Sequence, residues 1–219
     1  MEQNLKVSSL TKTGSFFYPE GISELAKSTD SLFYFILILS IIFFLGILVG
    51  SIILIRGSLK DNSQETQVKN NHKLELIWTV IPTILVMIIF WWGFQDFMKL
   101  NIAPGNSIEI HVSGKKWNWF FEYPNGVKLT DKLIVPEDQP VKLIMSSQDV
   151  LHSFFIPNLR VKRDVLPNHY TSLWFTANKK GRYQIFCTEY CGDNHSKMLA
   201  MLQVKTQKGY DKWLKEAKA

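Results

Sequence analysis

The twelve residues from 187 to 198 read C-T-E-Y-C-G-D-N-H-S-K-M and concentrate side chains that bind soft metal ions. Both cysteines of the 219-residue chain, Cys187 and Cys191, lie in this segment, together with His195 and Met198. Thiolate and thioether sulfur prefer copper, and imidazole binds copper as well as zinc. The residue types therefore allow three interpretations of the segment, which are a disulfide, a zinc site and a copper site.

The three interpretations differ in how many of these side chains they use. A disulfide would close only a five-residue segment, which adds little loop-closure entropy and leaves His195 and Met198 without a role. A tetrahedral zinc site would need a second histidine from elsewhere and would not use the thioether. Copper can use every donor, and two cysteines four positions apart can bridge two copper ions. The composition of the segment favours copper.

A second imidazole has to come from outside this segment. His152 is the best candidate, because it begins the apolar run H-S-F-F-I-P, which has the composition of a buried strand. His111 and His169 are the competitors, and each lies in a strand-like run where an isolated histidine is more often a structural or surface residue. The sequence therefore predicts His152 as the second histidine ligand.

Two long apolar runs precede these residues. Residues 32–55 and 76–95 contain no charged side chain, and each is long enough for the roughly 20 residues that a membrane-crossing helix needs. We therefore predict a transmembrane helical hairpin with helices at about 31–55 and 75–98. The short connection between them contains several lysine and arginine residues, so the positive-inside rule places it in the cytoplasm. Both termini then lie on the other side of the membrane.

The chain changes character near Asn101, where short runs rich in β-branched and aromatic residues alternate with turn signals that contain proline or glycine. Runs of this kind read as strands, and their number and spacing indicate a β-sandwich or barrel. The predicted strands are residues 107–113, 116–123, 140–146, 169–176, 182–187 and 198–204. The predicted organisation is an N-terminal extracytoplasmic segment (1–30), the helical hairpin (31–98), an all-β domain (99–206) and a C-terminal helix (207–219).

With these elements in place, the sequence resembles subunit II of the haem-copper cytochrome c oxidases. The segment from 187 to 198 matches that family's dinuclear CuA motif, C-x-E-x-C-G-x-x-H-x-x-M, at every fixed position. The run D-V-L-H-S-F-F-I-P around His152 matches the segment that holds the family's first histidine ligand. The resemblance extends over the whole chain, because two membrane helices followed by a cupredoxin-like sandwich are the family's architecture.

The resemblance implies a centre of two copper ions and a role for each residue of the motif. The two cysteines would bridge the ions, the two histidines would be terminal ligands, and the methionine would be a weak thioether ligand. The side chain of Glu189 would bind a magnesium ion at the boundary with subunit I. The implied copper ligands are the side chains of His152, Cys187, Cys191, His195 and Met198 and the backbone carbonyl of Glu189.

Two further roles follow from the resemblance. Trp117, in K-K-W-N-W-F-F, occupies the position of the tryptophan through which cytochrome c delivers its electron. Glu75, in E-L-I-W-T, occupies the position of the glutamate that admits protons into the K-type channel of subunit I. From the residues alone, Trp117 could instead belong with Trp119 and Phe121 to the core face of a strand, and Glu75 could stabilise a helix N-terminus.

The resemblance also implies the function of the chain, as subunit II of a cytochrome c oxidase. Its CuA centre would accept electrons from a c-type cytochrome and pass them to the haem of subunit I, where oxygen is reduced to water and protons are pumped. The expected partners are subunit I, subunit III and membrane lipid, and no nucleic acid. The copper domain would lie on the periplasmic side of a bacterial inner membrane, or on the equivalent side of the mitochondrial inner membrane.

The chain departs from the family in two ways. Residues 100–219 carry 17 lysines and arginines against 11 aspartates and glutamates, whereas much of the family presents an acidic patch to a basic cytochrome c. We therefore expect a neutral or acidic donor. In V-L-P-N-H-Y, His169 stands where many relatives have the arginine of a Pro-Gly-Arg turn, so Arg160 and Arg163 are the candidates to replace it. The basic side chains that would affect docking are Lys115, Lys116, Lys128, Arg160, Lys162 and Arg163.

Four other classes of protein share part of this pattern. A quinol oxidase subunit II has the same fold without the metal ligands, and the copper domain of a nitrous oxide reductase usually lacks the membrane helices. A nitric oxide reductase with a CuA subunit would differ in the partner chain. A membrane-tethered copper-delivery protein should lack the Trp117 segment and Glu75. The complete ligand set favours the oxidase over the quinol oxidase subunit, and the two helices favour it over the nitrous oxide reductase. The nitric oxide reductase stays open as an alternative.

Overall fold

The computed structural model describes residues 14–60 and 70–217 of the chain. Residues 29–96 form one compact unit, and its described residues belong mainly to two helices. The segment before residue 29 forms a second unit together with the residues from 97 onward, and this unit contains all the β-strands of the described residues. The division separates the membrane part of the chain from the part that carries the metal-binding segment.

Helix α1 (Glu24–Lys60) and helix α2 (His72–Asn101) are the two helices of the described residues that are long and apolar enough to cross a membrane. Their most apolar stretches are not buried against the rest of the chain. Many exposed leucine, isoleucine and phenylalanine side chains cover them. Such surfaces are stable when lipid or the helices of a partner surround them.

Both helices begin earlier than the charge-free runs predict. α1 begins at Glu24, because the Ser23 hydroxyl oxygen accepts a backbone N–H of the first turn at 3.0 Å. α2 begins at His72, because the side-chain oxygen of Asn71 accepts a first-turn N–H at 3.2 Å. The apolar pattern indicates the part of a helix that crosses lipid, whereas the capping residue decides where the helix begins. Residues 61–69 of the predicted basic connection lie outside the described residues.

The second unit contains a sandwich of two five-stranded sheets. The strands are β1 (Ile108–Lys115), β2 (Asn118–Glu122), β3 (Lys128–Thr130), β4 (Lys132–Pro136), β5 (Pro140–Ser147), β6 (His152–Ile156), β7 (Val161–Val165), β8 (Thr171–Thr176), β9 (Gly181–Cys187) and β10 (Leu199–Lys205). The first sheet has the order β3-β2-β1-β5-β8, and the second has the order β4-β10-β9-β6-β7. The predicted fold class, two membrane helices followed by an all-β cupredoxin-like sandwich, is confirmed.

The sequence pattern does not predict three of these strands, β3, β4 and β7. All three lie at the edges of their sheets. β3 has three residues, and β7 reads V-K-R-D-V, with charged side chains at its three central positions. Edge strands are often short and charged, which blocks pairing with other chains. In β3 and β7 these features remove the hydrophobic alternation on which the prediction depends. β4 lacks the alternation for another reason, because four of its five residues are buried in succession.

Residues 18–23, which we call the N-terminal strap, pack against the sandwich ahead of α1. Ile22 is fully buried in the hydrophobic core of this unit. Its N–H donates to the carbonyl of Asn158 at 2.9 Å, and its carbonyl accepts the N–H of Asn178 at 2.9 Å. The strap is therefore held by both its side chains and its backbone.

The C-terminal helix α3 (Gln207–Glu216) closes the other end of the chain. Its N-terminus is capped by Thr206, and the ring of Trp213 packs against Tyr123, with centroids 5.2 Å apart. The Tyr123 hydroxyl donates to the Ile134 carbonyl at 2.8 Å and accepts the Ile134 N–H at 2.7 Å. Burial raises the pKa of this phenol, so it remains a neutral donor and acceptor for β4.

Candidate metal centre

The metal-binding segment predicted from the sequence forms the loop between β9 and β10. β9 ends at Cys187 and β10 begins at Leu199, and the two strands pair antiparallel. The Cys187 N–H donates to the Met198 carbonyl at 3.2 Å, which closes the loop. The Thr188 N–H donates to the Ser153 carbonyl at 2.9 Å, which attaches the loop to β6.

The two cysteine sulfurs lie at the centre of this loop. Sγ of Cys187 and Sγ of Cys191 are 3.8 Å apart, well beyond the S–S bond of about 2.05 Å in a disulfide. Both cysteines are free thiols. Sγ of Cys187 also lies 3.8 Å from Nδ1 of His152 and 3.3 Å from the carbonyl oxygen of Glu189. Of the three interpretations of this segment, the structure therefore does not support the disulfide.

The second sulfur has donors of its own. Sγ of Cys191 lies 3.5 Å from Nδ1 of His195 and 3.7 Å from Sδ of Met198. Met198 is fully buried, and Cys191 is 3% exposed. Each sulfur thus has one imidazole nitrogen and one further donor beside it, in surroundings that exclude most water.

The two thiols have opposite pKa shifts. Burial disfavours the thiolate of Cys187, but hydrogen bonds with His152 and with the backbone at Ser153 outweigh burial and lower its pKa to about 7. At Cys191, burial and repulsion from Cys187 raise the pKa to about 12. One thiolate forms readily, whereas the second needs a nearby positive charge. A bound cation supplies that charge.

Of the three candidate histidines outside the metal-binding loop, His152 is the one that lies beside the sulfurs. It is the first residue of β6 and fully buried, whereas His111 and His169 are exposed. Its Nε2 lies 2.8 Å from Oδ1 of Asp149, which leaves Nδ1 facing Cys187. A carboxylate on one imidazole nitrogen fixes the ring and its tautomer for metal binding through the other.

Sequence reasoning misses Asp149, although it lies only three positions before His152. Its carboxylate also accepts the N–H groups of Lys116 at 2.9 Å and Val150 at 2.7 Å. Burial alone would raise the pKa of this carboxyl group, but these hydrogen bonds and the one with His152 lower it to about 2. The signal in the sequence is an acidic residue one turn before a buried histidine, in D-V-L-H. Asp149 is therefore a charged positioning residue for His152.

The donor set fits copper better than zinc. Three sulfurs, two imidazole nitrogens and a carbonyl oxygen exceed the four ligands of a structural zinc site, and a thioether favours copper. Among the described residues, the donor atoms of His152, Cys187 and Cys191 all lie within 4.8 Å of one another. The arrangement is therefore a copper site by the chemistry of its donors.

Comparison with known families covers both units of the chain. Residues 12–95 match the transmembrane domain of cytochrome c oxidase subunit II, and residues 126–205 match the periplasmic domain of the same subunit. The chain belongs to the cytochrome c oxidase subunit II family. The second matched region contains His152 and the whole metal-binding loop.

Individual members of the subunit II family support this result. Cytochrome c oxidase subunit 2 of Synechocystis sp. is 27% identical over 246 residues, which cover 90% of this chain and 74% of the relative. Probable cytochrome c oxidase subunit 2 of Rickettsia bellii is 29% identical over 215 residues, which cover 88% of this chain and 79% of the relative. The crystal structure of the periplasmic domain of cytochrome oxidase subunit II from Bradyrhizobium japonicum matches with a TM-score of 0.52 and 26% identity, over 53% of this chain and 97% of that domain.

Trp117, the residue that the sequence predicts for electron uptake, packs on the metal-binding loop between β9 and β10, called the metal loop below. It lies in the turn between β1 and β2 and is half-buried, whereas Trp119 and Phe121 of β2 are buried in the core. A Cβ atom added at Gly192 would lie 3.4 Å from Cζ2 of Trp117, so the ring rests on the backbone next to Cys191. Gly192 has a φ of 118°, a conformation that glycine adopts without strain.

The two glutamates with expected roles in subunit II belong to different units. Glu189 directs its carbonyl at Cys187, while its partly exposed carboxylate lies 3.5 Å from Nζ of Lys162. Glu75 lies in the first turn of α2, 3.1 Å from Nδ1 of His72. The structure therefore brings the backbone of Glu189 to the metal site and leaves its side chain at the surface of the unit.

We predict that Asp149→Asn lowers the copper affinity of the full chain by about 10- to 100-fold, the usual effect of losing a residue that orients a metal-bound histidine. Asparagine keeps the volume but removes the charge that fixes the His152 tautomer. Competition with a copper chelator at constant pH measures the change. Asp193→Asn is the matched control, because Asp193 is an exposed residue of the metal loop. Equal losses in both variants would contradict the positioning role.

Proposed function

We propose that this chain is the electron-accepting subunit of a cytochrome c oxidase. It would take electrons from a c-type cytochrome outside the membrane and pass them to the haem of subunit I, where oxygen is reduced to water and protons are pumped. The observation that carries the proposal is the convergence of four donor atoms on the sulfur pair of Cys187 and Cys191, which makes six donors in all. The chain would hold the electron-accepting site and no oxygen chemistry of its own.

The protein would bind two copper ions between the two cysteines. When bound, the dinuclear centre supplies a one-electron couple in which both ions share the unpaired electron. The chain's own contribution is to fix the donors in advance, through the closed β9–β10 loop and the buried Met198. The residues that would hold the copper are His152, Cys187, Cys191, His195, Met198 and, by its carbonyl oxygen, Glu189.

Trp117 is the residue that we assign to electron uptake. Its ring is half-buried, with one side against Gly192 of the metal loop. A ring in this position can contact a docked cytochrome and the metal loop at the same time, which shortens the path between them. The adjacent side chains of Lys115 and Lys116 are exposed and have no ion-pair partner in the described part of the chain. They would repel a strongly basic donor and attract a neutral or acidic one.

The N-terminal strap supports the proposed membrane topology. Because Ile22 is hydrogen-bonded to Asn158 and Asn178 of the sandwich, residues 18–23 would lie on the same side of the membrane as the metal domain. α3 packs on the sandwich as well, through Trp213. Both termini and the copper domain would then be periplasmic, with subunit I, subunit III and lipid covering the apolar helices.

Two further roles belong to the proposal. The partly exposed carboxylate of Glu189 would bind magnesium at the boundary with subunit I, because hard cations prefer carboxylate oxygen and this group lies at the surface of the unit beside Lys162. Glu75 would admit protons to the K-type channel, because it is an ionisable residue at the cytoplasmic end of a membrane helix.

Copper binding by the full-length chain tests the proposal directly. We expect two copper ions per chain and a seven-line hyperfine pattern in the electron paramagnetic resonance spectrum, because one electron is shared by two equivalent ions. One ion with a four-line pattern, or retention of zinc instead, would contradict the dinuclear centre. Trp117→Leu is the control that separates binding from electron uptake: it should keep the spectrum while oxidation of cytochrome c in the assembled oxidase falls.

The charge of the docking face predicts the salt dependence of turnover. We expect Lys116→Gln in the assembled oxidase to slow oxidation of an acidic cytochrome by roughly two- to fivefold at low ionic strength, with the difference fading as salt screens the charge. Lys180→Gln removes the same charge at the opposite end of β9 and should leave the rate unchanged. Faster oxidation of a strongly basic cytochrome at low salt would rule out the proposed polarity.

The role of Glu75 predicts a selective kinetic defect. We expect Glu75→Gln to slow reduction of the haems of subunit I during turnover, because the amide cannot carry a proton, while copper content and the copper spectrum stay unchanged. Rapid mixing of the oxidised complex with reductant measures this phase. Glu24→Gln, at the start of α1, is the control for the loss of one carboxylate at a helix end. Turnover equal to the unmodified complex would remove Glu75 from the mechanism.

A further inference from the structure

Arg163 is a partly buried cation that has no counterion in the described part of the chain. It lies on the edge strand β7, and its Nε is inaccessible to solvent and makes no hydrogen bond. Its Nη2 donates to Oδ1 of Asn101 at 3.1 Å, which is a neutral partner. No carboxylate of the described residues lies within 4 Å of this guanidinium. Partial removal of a charge from water is unfavourable unless an anion compensates it.

The neighbouring basic residues differ from Arg163 in this respect. Lys162 lies 3.5 Å from Glu189 and 3.6 Å from Asp164. Arg160 donates to the Pro19 carbonyl at 2.7 Å, and its guanidinium lies 4.7 Å from the centroid of the Tyr18 ring. Both side chains are therefore engaged by the chain itself. Of the two arginines that could replace the one missing at His169, Arg163 is the one that keeps capacity for an external anion.

The position of Arg163 indicates which anion it meets. Asn101 is the last residue of α2, a candidate membrane span, and Trp174 of β8 donates its indole N–H to the Lys99 carbonyl at 2.9 Å. Arg163 and Trp174 therefore both contact the last turn of the span. Residues at this depth face the lipid headgroups, where tryptophan rings are enriched and anionic phosphates are abundant. The side chain of Lys99 is exposed in the same turn.

We propose that Arg163 binds the phosphate of an anionic phospholipid at the outer surface of the membrane. Beyond the bond to Asn101, the guanidinium keeps N–H donors on Nη1 and Nη2, and these can form two hydrogen bonds with a phosphate. Trp174 would form the wall of the site on the side of β8, at the membrane depth where the lipid acyl chains begin. The site is separate from the metal loop and does not require copper.

Lipid retention by the full-length chain tests this site. The protein is reconstituted in vesicles of phosphatidylcholine and phosphatidylglycerol, extracted gently, and analysed by native mass spectrometry. We expect Arg163→Gln to retain roughly fivefold less phosphatidylglycerol than the unmodified chain, the effect of removing one basic side chain near an anionic surface. Retention of phosphatidylcholine should not change. Arg163→Lys keeps the charge, so its retention of phosphatidylglycerol should lie between those of the unmodified chain and Arg163→Gln.

Arg182→Gln is the matched control, because Arg182 is an exposed arginine of β9 at the end away from Cys187. Circular dichroism and copper content identify any variant that fails to fold. If Arg163→Gln fails to fold, lipid retention is compared between the unmodified chain and Arg163→Lys instead. Equal retention by the unmodified chain and Arg163→Gln would overturn the proposal. Displacement of the lipid by millimolar inorganic phosphate would make a free anion the ligand. Loss of binding to subunit I with unchanged lipid retention would instead assign Arg163 to a carboxylate of that partner.

Discussion

The close approach of two cysteine sulfurs is the constraint on which the metal centre depends. Held 3.8 Å apart by the closed β9–β10 loop, Cys187 and Cys191 cannot both ionise easily, and their pKa values separate to about 7 and about 12. The fold therefore maintains a repulsion that a cation relieves. Binding of a cation and completion of the ligand set would be coupled, because a nearby positive charge favours the thiolate of Cys191.

A single carboxylate connects this sulfur pair to the proposed site of electron uptake. Asp149 accepts the N–H of Lys116 in the turn that carries Trp117, and it contacts the His152 ring on the side away from the sulfurs. The turn belongs to the first sheet and His152 to the second. The hydrogen bonds of one side chain therefore set the position of a ligand and the position of the tryptophan turn relative to each other. This arrangement keeps the uptake path short without a covalent link between the sheets.

The sequence predicts the metal loop well because its donors are local: both cysteines, His195 and Met198 fall within twelve residues, and their chemistry alone favours copper. The helices and most strands follow from strong apolar patterns. Asp149 escapes prediction because its importance depends on a hydrogen bond across two loops. The strap escapes because Ile22 lies in a short irregular segment with no helical or strand periodicity. Edge strands such as β7 escape because charged residues occupy their central positions. The features that the sequence does not predict depend mostly on contacts between residues far apart in the chain.

The net charge of the outer domain does not describe the surface that a donor meets. Of the six basic side chains expected to affect docking, Lys128 pairs with Glu122, Lys162 with Glu189, and the two arginines contact the strap and Asn101. Lys115 and Lys116 are the pair that the described contacts leave to solvent, and they immediately precede Trp117. In the proposed docking mode, the electrostatic preference for a donor would therefore arise beside the tryptophan, where a single charge would act at short range on the docked partner.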